Sequence, residues 1–104
     1  MYIYNTTYHI HDEVIGDSLV FFKRVYIPQA LVSGVLTEPR FAFIHHQNQE
    51  PGASYSLQFK VESVDALNDW LHKDGAILQR KMVEIFSDKI AGFNTLLEEI
   101  DIEL

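Results

Sequence analysis

Residues 54–62 read Ser-Tyr-Ser-Leu-Gln-Phe-Lys-Val-Glu, the cleanest alternation in the chain. Successive side chains of a β-strand point to opposite faces. Tyr55, Leu57, Phe59 and Val61 therefore share an apolar side, and Ser54, Ser56, Gln58, Lys60 and Glu62 a polar one. Upstream, the stretch from Asn48 to Ala53 carries Pro51-Gly52, a turn signal suited to a hairpin. The partner strand of that hairpin is residues 35–46, where Pro39 cannot donate a ladder hydrogen bond and so argues for an edge or a bulge. Downstream, Ser63 is placed to cap a helix and Asp65 to sit in its first turn. Leu67, Leu71, Leu78, Met82 and Ile85 then follow along one face. This predicts a helix from about Val64 to Phe86, kinked or broken at Gly75.

The flanks repeat the scheme. Residues 2–11 alternate, with Tyr2, Tyr4, Thr6, Tyr8 and Ile10 against Ile3, Asn5, Thr7, His9 and His11. Asp12 is the expected N-cap of an amphipathic helix running to about Tyr26, with a bend before Pro28 and a short turn ended by Gly34. Residues 90–100 form the last strand, and Asp101 to Leu104 continue its alternation. The order β-α-β-β-α-β predicts an α+β, ferredoxin-like domain spanning residues 1–104. Its four-stranded, antiparallel-type sheet has two helices on one face, with the first and third strands side by side, parallel and central.

Two helices leave one sheet face open. Asn5, Thr7, His9, Ser56 and Gln58 fall on it, with apolar groups at the margins, where Phe41 and Phe43 oppose Ala42 and Ile44, and Leu96 opposes Leu97. That pattern suits a homodimer with two sheets facing each other around a cavity, a dimeric α/β-barrel. Asn5, Thr7, His9 and Gln58, with Arg40 if its face agrees, are the candidate ligand-binding residues for a small aromatic or carbonyl compound. His9 is the residue there that could move a proton. His9 and His11 form a His-x-His, and His45-His46 closes the second strand, but the expected topology sets His45 at the opposite end of the sheet from His11. No metal site is expected, because zinc needs three or four convergent ligands.

Composition narrows the classes further. Eight basic and 15 acidic residues give a net charge of -7 with no basic stripe, which argues against nucleic acid. Cysteine is absent, excluding disulfides and thiolate chemistry. The apolar stretch Leu19–Leu36 is interrupted by Lys23, Arg24, Pro28 and Gln29, so no membrane span is expected. The chain begins directly on strand-like Tyr2-Ile3-Tyr4 without a signal peptide pattern, making the cytoplasm the expected compartment. Phosphate-binding glycine loops and nucleophile elbows are missing, and no cofactor is expected.

Several stretches resemble a small bacterial family of the domain-of-unknown-function type. They are Ile3-Tyr4-Asn5-Thr6-Thr7, Ile27-Pro28, Thr37-Glu38, Tyr55-Ser56-Leu57-Gln58-Phe59, Leu78-Gln79-Arg80-Lys81 and residues 93–100 (Phe-Asn-Thr-Leu-Leu-Glu-Glu-Ile). Where that family usually has His before Ile-Pro and Arg before Thr-Leu-Leu, this chain has Tyr26 and Asn94. The resemblance implies an architecture similar to the dimeric α/β-barrel superfamily and no assigned reaction. That superfamily includes cofactor-independent monooxygenases, haem-degrading enzymes, isomerases and plain binding proteins. Asn5 and Trp70-Leu71 resemble the haem-degrading branch, but Arg80 occupies the position of its axial His, so haem is not expected. Two functions stay open: a dimeric small-molecule binder, with or without oxygenase or isomerase chemistry, and a non-catalytic protein-interaction or regulatory module. Glu98, Glu99 and Asp101 form an acidic end that reads as a solvated edge and not a metal site, and in the interaction-module reading that strand docks another protein.

Overall fold

The computed structural model describes residues 1–45 and 50–103; His46 and Asn48, drawn into the second strand and its turn by the sequence pattern, lie outside that range. In chain order the elements are β1 (Tyr2–Ile10), a 3-10 turn (Asp12–Val14), α1 (Ile15–Phe21), a π-helical turn (Phe22–Tyr26) and α2 (Ile27–Leu31). There follow β2 (Thr37–Ile44), β3 (Ala53–Val61), α3 (Val64–His72), α4 (Asp74–Phe86), a 3-10 turn (Ser87–Lys89) and β4 (Ile90–Glu98). The sheet order is β2-β3-β1-β4, so β1 and β3 are central as expected. They are antiparallel, however, as are all neighbouring pairs. The hairpin reverses β3 against β2, and the crossover from β1 makes β1 and β2 the parallel pair, with β3 inserted between them.

The apolar sides of the strands meet the helices. Tyr4, Tyr8 and Ile10 of β1 and Leu57, Phe59 and Val61 of β3 are buried with Phe22, Leu67, Trp70, Leu78, Met82 and Phe86 of the helical layer. Each large apolar side chain removed from water there contributes about 1.5–3 kcal/mol. Phe22 anchors the layer: it is fully buried, with its ring centroid 4.7 Å from Tyr8 and 5.3 Å from Phe41.

Helix runs unbroken through Pro28, contrary to the expected bend. Ile27 has helical angles (φ -61, ψ -49), and its N–H reaches the carbonyl of Phe22, five residues back. Proline lacks the N–H for a regular helical bond and its ring crowds the carbonyl four residues earlier, here that of Arg24. Widening the preceding turn relieves that crowding. The wider turn also affects burial. Ser18, Phe22, Tyr26 and Ala30 recur every four residues and all are buried. A row at that spacing drifts about 40° per turn in a regular α-helix. The π turn takes up part of the drift and keeps Tyr26 beneath the sheet.

Other boundaries also differ from the sequence pattern. His11, not Asp12, caps the first helical turn, its Nδ1 accepting from the Glu13 N–H at 3.3 Å. Ser63 caps α3 as expected, its Oγ accepting from the Ala66 N–H at 3.2 Å. The break after α3 falls at Lys73 (φ -109, ψ -95) and not at Gly75. Gly75 instead permits close packing, because a Cβ there would lie 2.7 Å from the Trp70 ring. Pro39 sits in an edge strand beside a register irregularity, with Glu38 at φ 49. The strand β4 ends at Glu98 and residues 99–103 do not continue it; Leu104 lies outside the described residues.

Candidate functional site

The open face carries all five residues singled out by the sequence. Arg40 pairs with Gln58 and Gln58 with Asn5, which settles Arg40 onto that face with Thr7 and His9. Asn5, Thr7 and His9 are held by side-chain hydrogen bonds. Ser56 Oγ donates to Asn5 Oδ1 at 2.6 Å, and Asn5 Nδ2 donates to Thr7 Oγ1 at 3.2 Å. The His9 ring bridges the Pro51 carbonyl oxygen from Nε2 and Ser54 Oγ from Nδ1, both at 3.0 Å. A carbonyl only accepts, so Nε2 carries a proton and donates to Pro51. This histidine ties β1 to the hairpin loop and has no ring nitrogen left over for a ligand.

The other histidines do not join it, for a reason different from the one expected. Ile44 pairs with Ser54 and Ser54 with His9, so β1 and β2 end at the same edge of the sheet, not at opposite ends. The separation is between faces. The His45 ring packs edge-on against Phe43, centroids 4.8 Å apart, on the helix side of β2, whereas His9 lies on the open side. Among the described residues no three His, Asp or Glu are grouped to hold a metal ion.

A cavity of about 390 Å³ lies on the opposite, helix-covered face, where the sequence pattern pointed only to core. Its floor is Tyr4, Thr6 and Tyr8 of β1 with Ile90, Gly92 and Asn94 of β4. Tyr26, Trp70, Gly75, Gln79 and Met82 are prominent in its roof. Tyr8 abuts β4 closely, since a Cβ on Gly92 would come within 2.9 Å of its ring. Thr6 Oγ1 donates to Asn94 Oδ1 at 2.9 Å, which leaves the Asn94 amide NH₂ as a donor. Trp70 is only 3% exposed, and among the described residues its Nε1 is the buried side-chain polar atom without a hydrogen-bond partner. Leaving such a donor unmet costs about 1–3 kcal/mol.

Burial sets the protonation of the tyrosines. Desolvation pushes the Tyr26 hydroxyl up to about 12 from 10.0. It raises Tyr8 well above the ordinary value, with the neighbouring Tyr26 adding to the effect. Tyr4 is raised by the same desolvation. All three are therefore neutral hydroxyls near pH 7, able to donate and accept but unsuited to act as bases.

The structure thus separates residues that the resemblance grouped. Asn5 lies on the open face and Trp70 lines the cavity on the other, so they share no site. Conversely, Tyr26 and Asn94, the two departures from the family pattern, both line the cavity. Those departures were the one sequence signal that could have located it. Tyr4, Tyr8 and Trp70 read as ordinary core at strand and helix spacing.

Fold and cavity together define a small α+β domain of the ferredoxin-like type with a partly open cavity between sheet and helices. The chain belongs to the domain-of-unknown-function family DUF4286, which matches residues 1–100. A crystal structure of a candidate antibiotic biosynthesis monooxygenase from Deinococcus radiodurans is similar over 99% of each chain, with a TM-score of 0.59 at 14% identity. At that identity the likeness is one of fold. No curated protein matches the chain. Among the described residues no helix is long and apolar enough to cross a membrane.

Proposed function

We propose that this protein binds a small molecule in the cavity between its sheet and the α3–α4 layer, and works as a homodimer through the open sheet face. The cavity carries this reading. Its volume of about 390 Å³ falls in the range of small-ligand sites, and its aromatic walls hold convergent polar groups.

The open face supports the second copy. Phe93 and Leu97 of β4 are 65% and 44% exposed, and Ala42 and Ile44 line the other margin, around the self-satisfied polar centre. Two such faces would cover each other's apolar margins. The space between them is the second place for a ligand, where Asn5, Thr7, His9, Arg40 and Gln58 would form the wall. Oxygenase or isomerase chemistry without a cofactor would have to draw its reactivity from the ligand, since the internal cavity offers no base. The alternative, a protein-interaction module, has its support in the segment after β4, where Ile100 and Ile102 are 81% and 88% exposed between acidic residues. The absence of cysteine suits a reducing compartment, and we place the protein in the cytoplasm.

Trp70 is the single tryptophan, so its fluorescence reports the cavity alone. A neutral aromatic fragment library is expected to yield compounds that change that fluorescence and raise the melting temperature together. A library that binds without touching Trp70 emission would place the ligand elsewhere. Light scattering on a sizing column should give a dimer near twice 12.0 kDa. A monomer at every concentration would end the dimer reading and turn attention to protein partners.

A further inference from the structure

We propose that the free edge of β4 pairs antiparallel with the β4 edge of a second copy, joining two four-stranded sheets into one. This contact is separate from the face-to-face packing of the open sheet sides and stands without it.

β4 is an end strand, bonded to β1 alone in the order β2-β3-β1-β4. Which of its backbone groups point outward follows from the two bonds that flank it. The His11 N–H donates to the Lys89 carbonyl at 2.9 Å, and the Glu99 N–H to the Met1 carbonyl at 3.0 Å. Both fall in the β1–β4 register, where Tyr2 faces Glu98 and Ile10 faces Ile90. Bonded and non-bonded pairs alternate along an antiparallel ladder. The odd-numbered residues from 89 to 99 therefore direct their N–H and C=O groups to β1. Those of Ile90, Gly92, Asn94, Leu96 and Glu98 point away from the sheet, and among the described residues no strand meets them.

The two edges of the sheet are built differently. β2 is blunted, with Pro39, Glu38 at φ 49, a register irregularity and the charges of Glu38 and Arg40. Such devices keep an edge from pairing. β4 has no proline and an unbroken register, and residues 90–97 carry no charge. Phe93, Leu96 and Leu97 are exposed along it. A long, flat, apolar edge of this kind is a template for another strand.

The pattern along β4 selects a second copy as that strand. A two-fold axis at Asn94 sets the outward-pointing even residues against one another, as an antiparallel ladder requires. Leu96 then lies opposite Gly92, Leu97 opposite Ala91 and Phe93 opposite Thr95, each large side chain against a smaller one. Lys89 lies opposite Glu99 and Glu98 opposite Ile90, so opposite charges meet and no acid faces an acid. Because β2 is closed to pairing, the contact ends at two copies and does not run on into a filament. Gly92 and Asn94 also line the cavity floor, so Leu96 of the second copy would extend that floor past the edge of the sheet.

Light scattering over a dilution series and residue-resolved amide exchange test this on the intact wild-type chain. The mass should double as concentration rises: from twice to four times 12.0 kDa where the open faces are paired, and from one copy to two where they are not. Over the same range the amides of Ile90, Gly92, Asn94 and Leu96 should become protected. Those of Phe93, Thr95 and Leu97, already bonded to β1, should be slow throughout. Face-to-face packing leaves the outward amides free, so exchange tells the two contacts apart. Leu96→Pro removes an outward N–H and keeps every bond to β1. That variant should unfold within a few degrees of the wild type and stop at the smaller mass. If it does not fold, Leu96→Lys takes its place, setting a charge on the edge. Outward amides that exchange freely in the larger species, a doubling that persists in the folded variant, or a mass that never doubles would overturn the proposal.

Discussion

The two faces of β1 differ in how they treat their polar groups. On the open side, Asn5 serves Ser56 and Thr7 at once, and His9 is held between Ser54 and Pro51. On the covered side, one residue away along the same strand, Tyr4 and Tyr8 are buried beside a partly open cavity, their hydroxyls pushed up by desolvation. The polar side chains of Asn5 and His9 on the open face are tied to their neighbours, while the covered face keeps space beside its buried tyrosines. A cavity lined by aromatic and uncharged polar side chains points to a ligand. Polar groups already paired on the open face point to an interface.

The largest effect should separate the faces by stability. Phe22→Ala, in the covered layer, is expected to lower unfolding free energy by about 3–5 kcal/mol in chemical denaturation. If it cost no more than a surface substitution, the cavity would have to be far looser than its walls suggest.

Alkaline pH comes next. The cavity tyrosines stay protonated in the folded state after the unfolded chain has begun to ionise near 10.0. Above that pH the unfolded state binds fewer protons, so stability falls as pH rises, and for Tyr26 the loss continues to about 12. Tyr26 alone should account for about 2–3 kcal/mol, measured by denaturation from pH 8 upward. Tyr26→Phe should flatten that decline. A decline of the same depth in that variant would mean Tyr26 does not ionise as its burial requires.

Phe93→Asp addresses the open face. It should leave the melting of the isolated protomer nearly unchanged and weaken self-association by about 2 kcal/mol or more, read from the dilution series. An unchanged dimer would place the interface elsewhere. The smallest effect belongs to Asn5→Ala, which leaves Ser56 and Thr7 without partners and should cost about 1 kcal/mol. Cavity ligands should bind it as they bind the wild type. Loss of binding would move the site to the space between facing sheets.

Local chemistry made much of this architecture readable. The alternation of residues 54–62 placed β3 and its faces, Ser63 marked the start of α3, and Pro39 marked an irregular edge. Each of these depends on one strand's pleat, one turn's orphan donors or one missing N–H. Arg40 joined the open face because period-two alternation carries a face along a strand once its register is known. The passage of helix through Pro28 was not readable, because a π turn arises from packing a row of four-spaced buried side chains against a sheet. Nor was the break at Lys73 in place of Gly75, since Gly75 answers to the Trp70 ring lying against it.

By itself, then, the sequence determined the order and type of the elements, the apolar and polar sides of each strand, and the cysteine-free stock of side chains available to a site. These follow from periodicity and composition, which act over a few residues. Tertiary structure alone decided that β1 runs antiparallel to β3, that His9 and His45 lie on different faces, and that Tyr26, Trp70 and Asn94 surround one chamber. Those residues are far apart along the chain, and only the packing of helices over β1 and β4 brings them within reach of a single ligand.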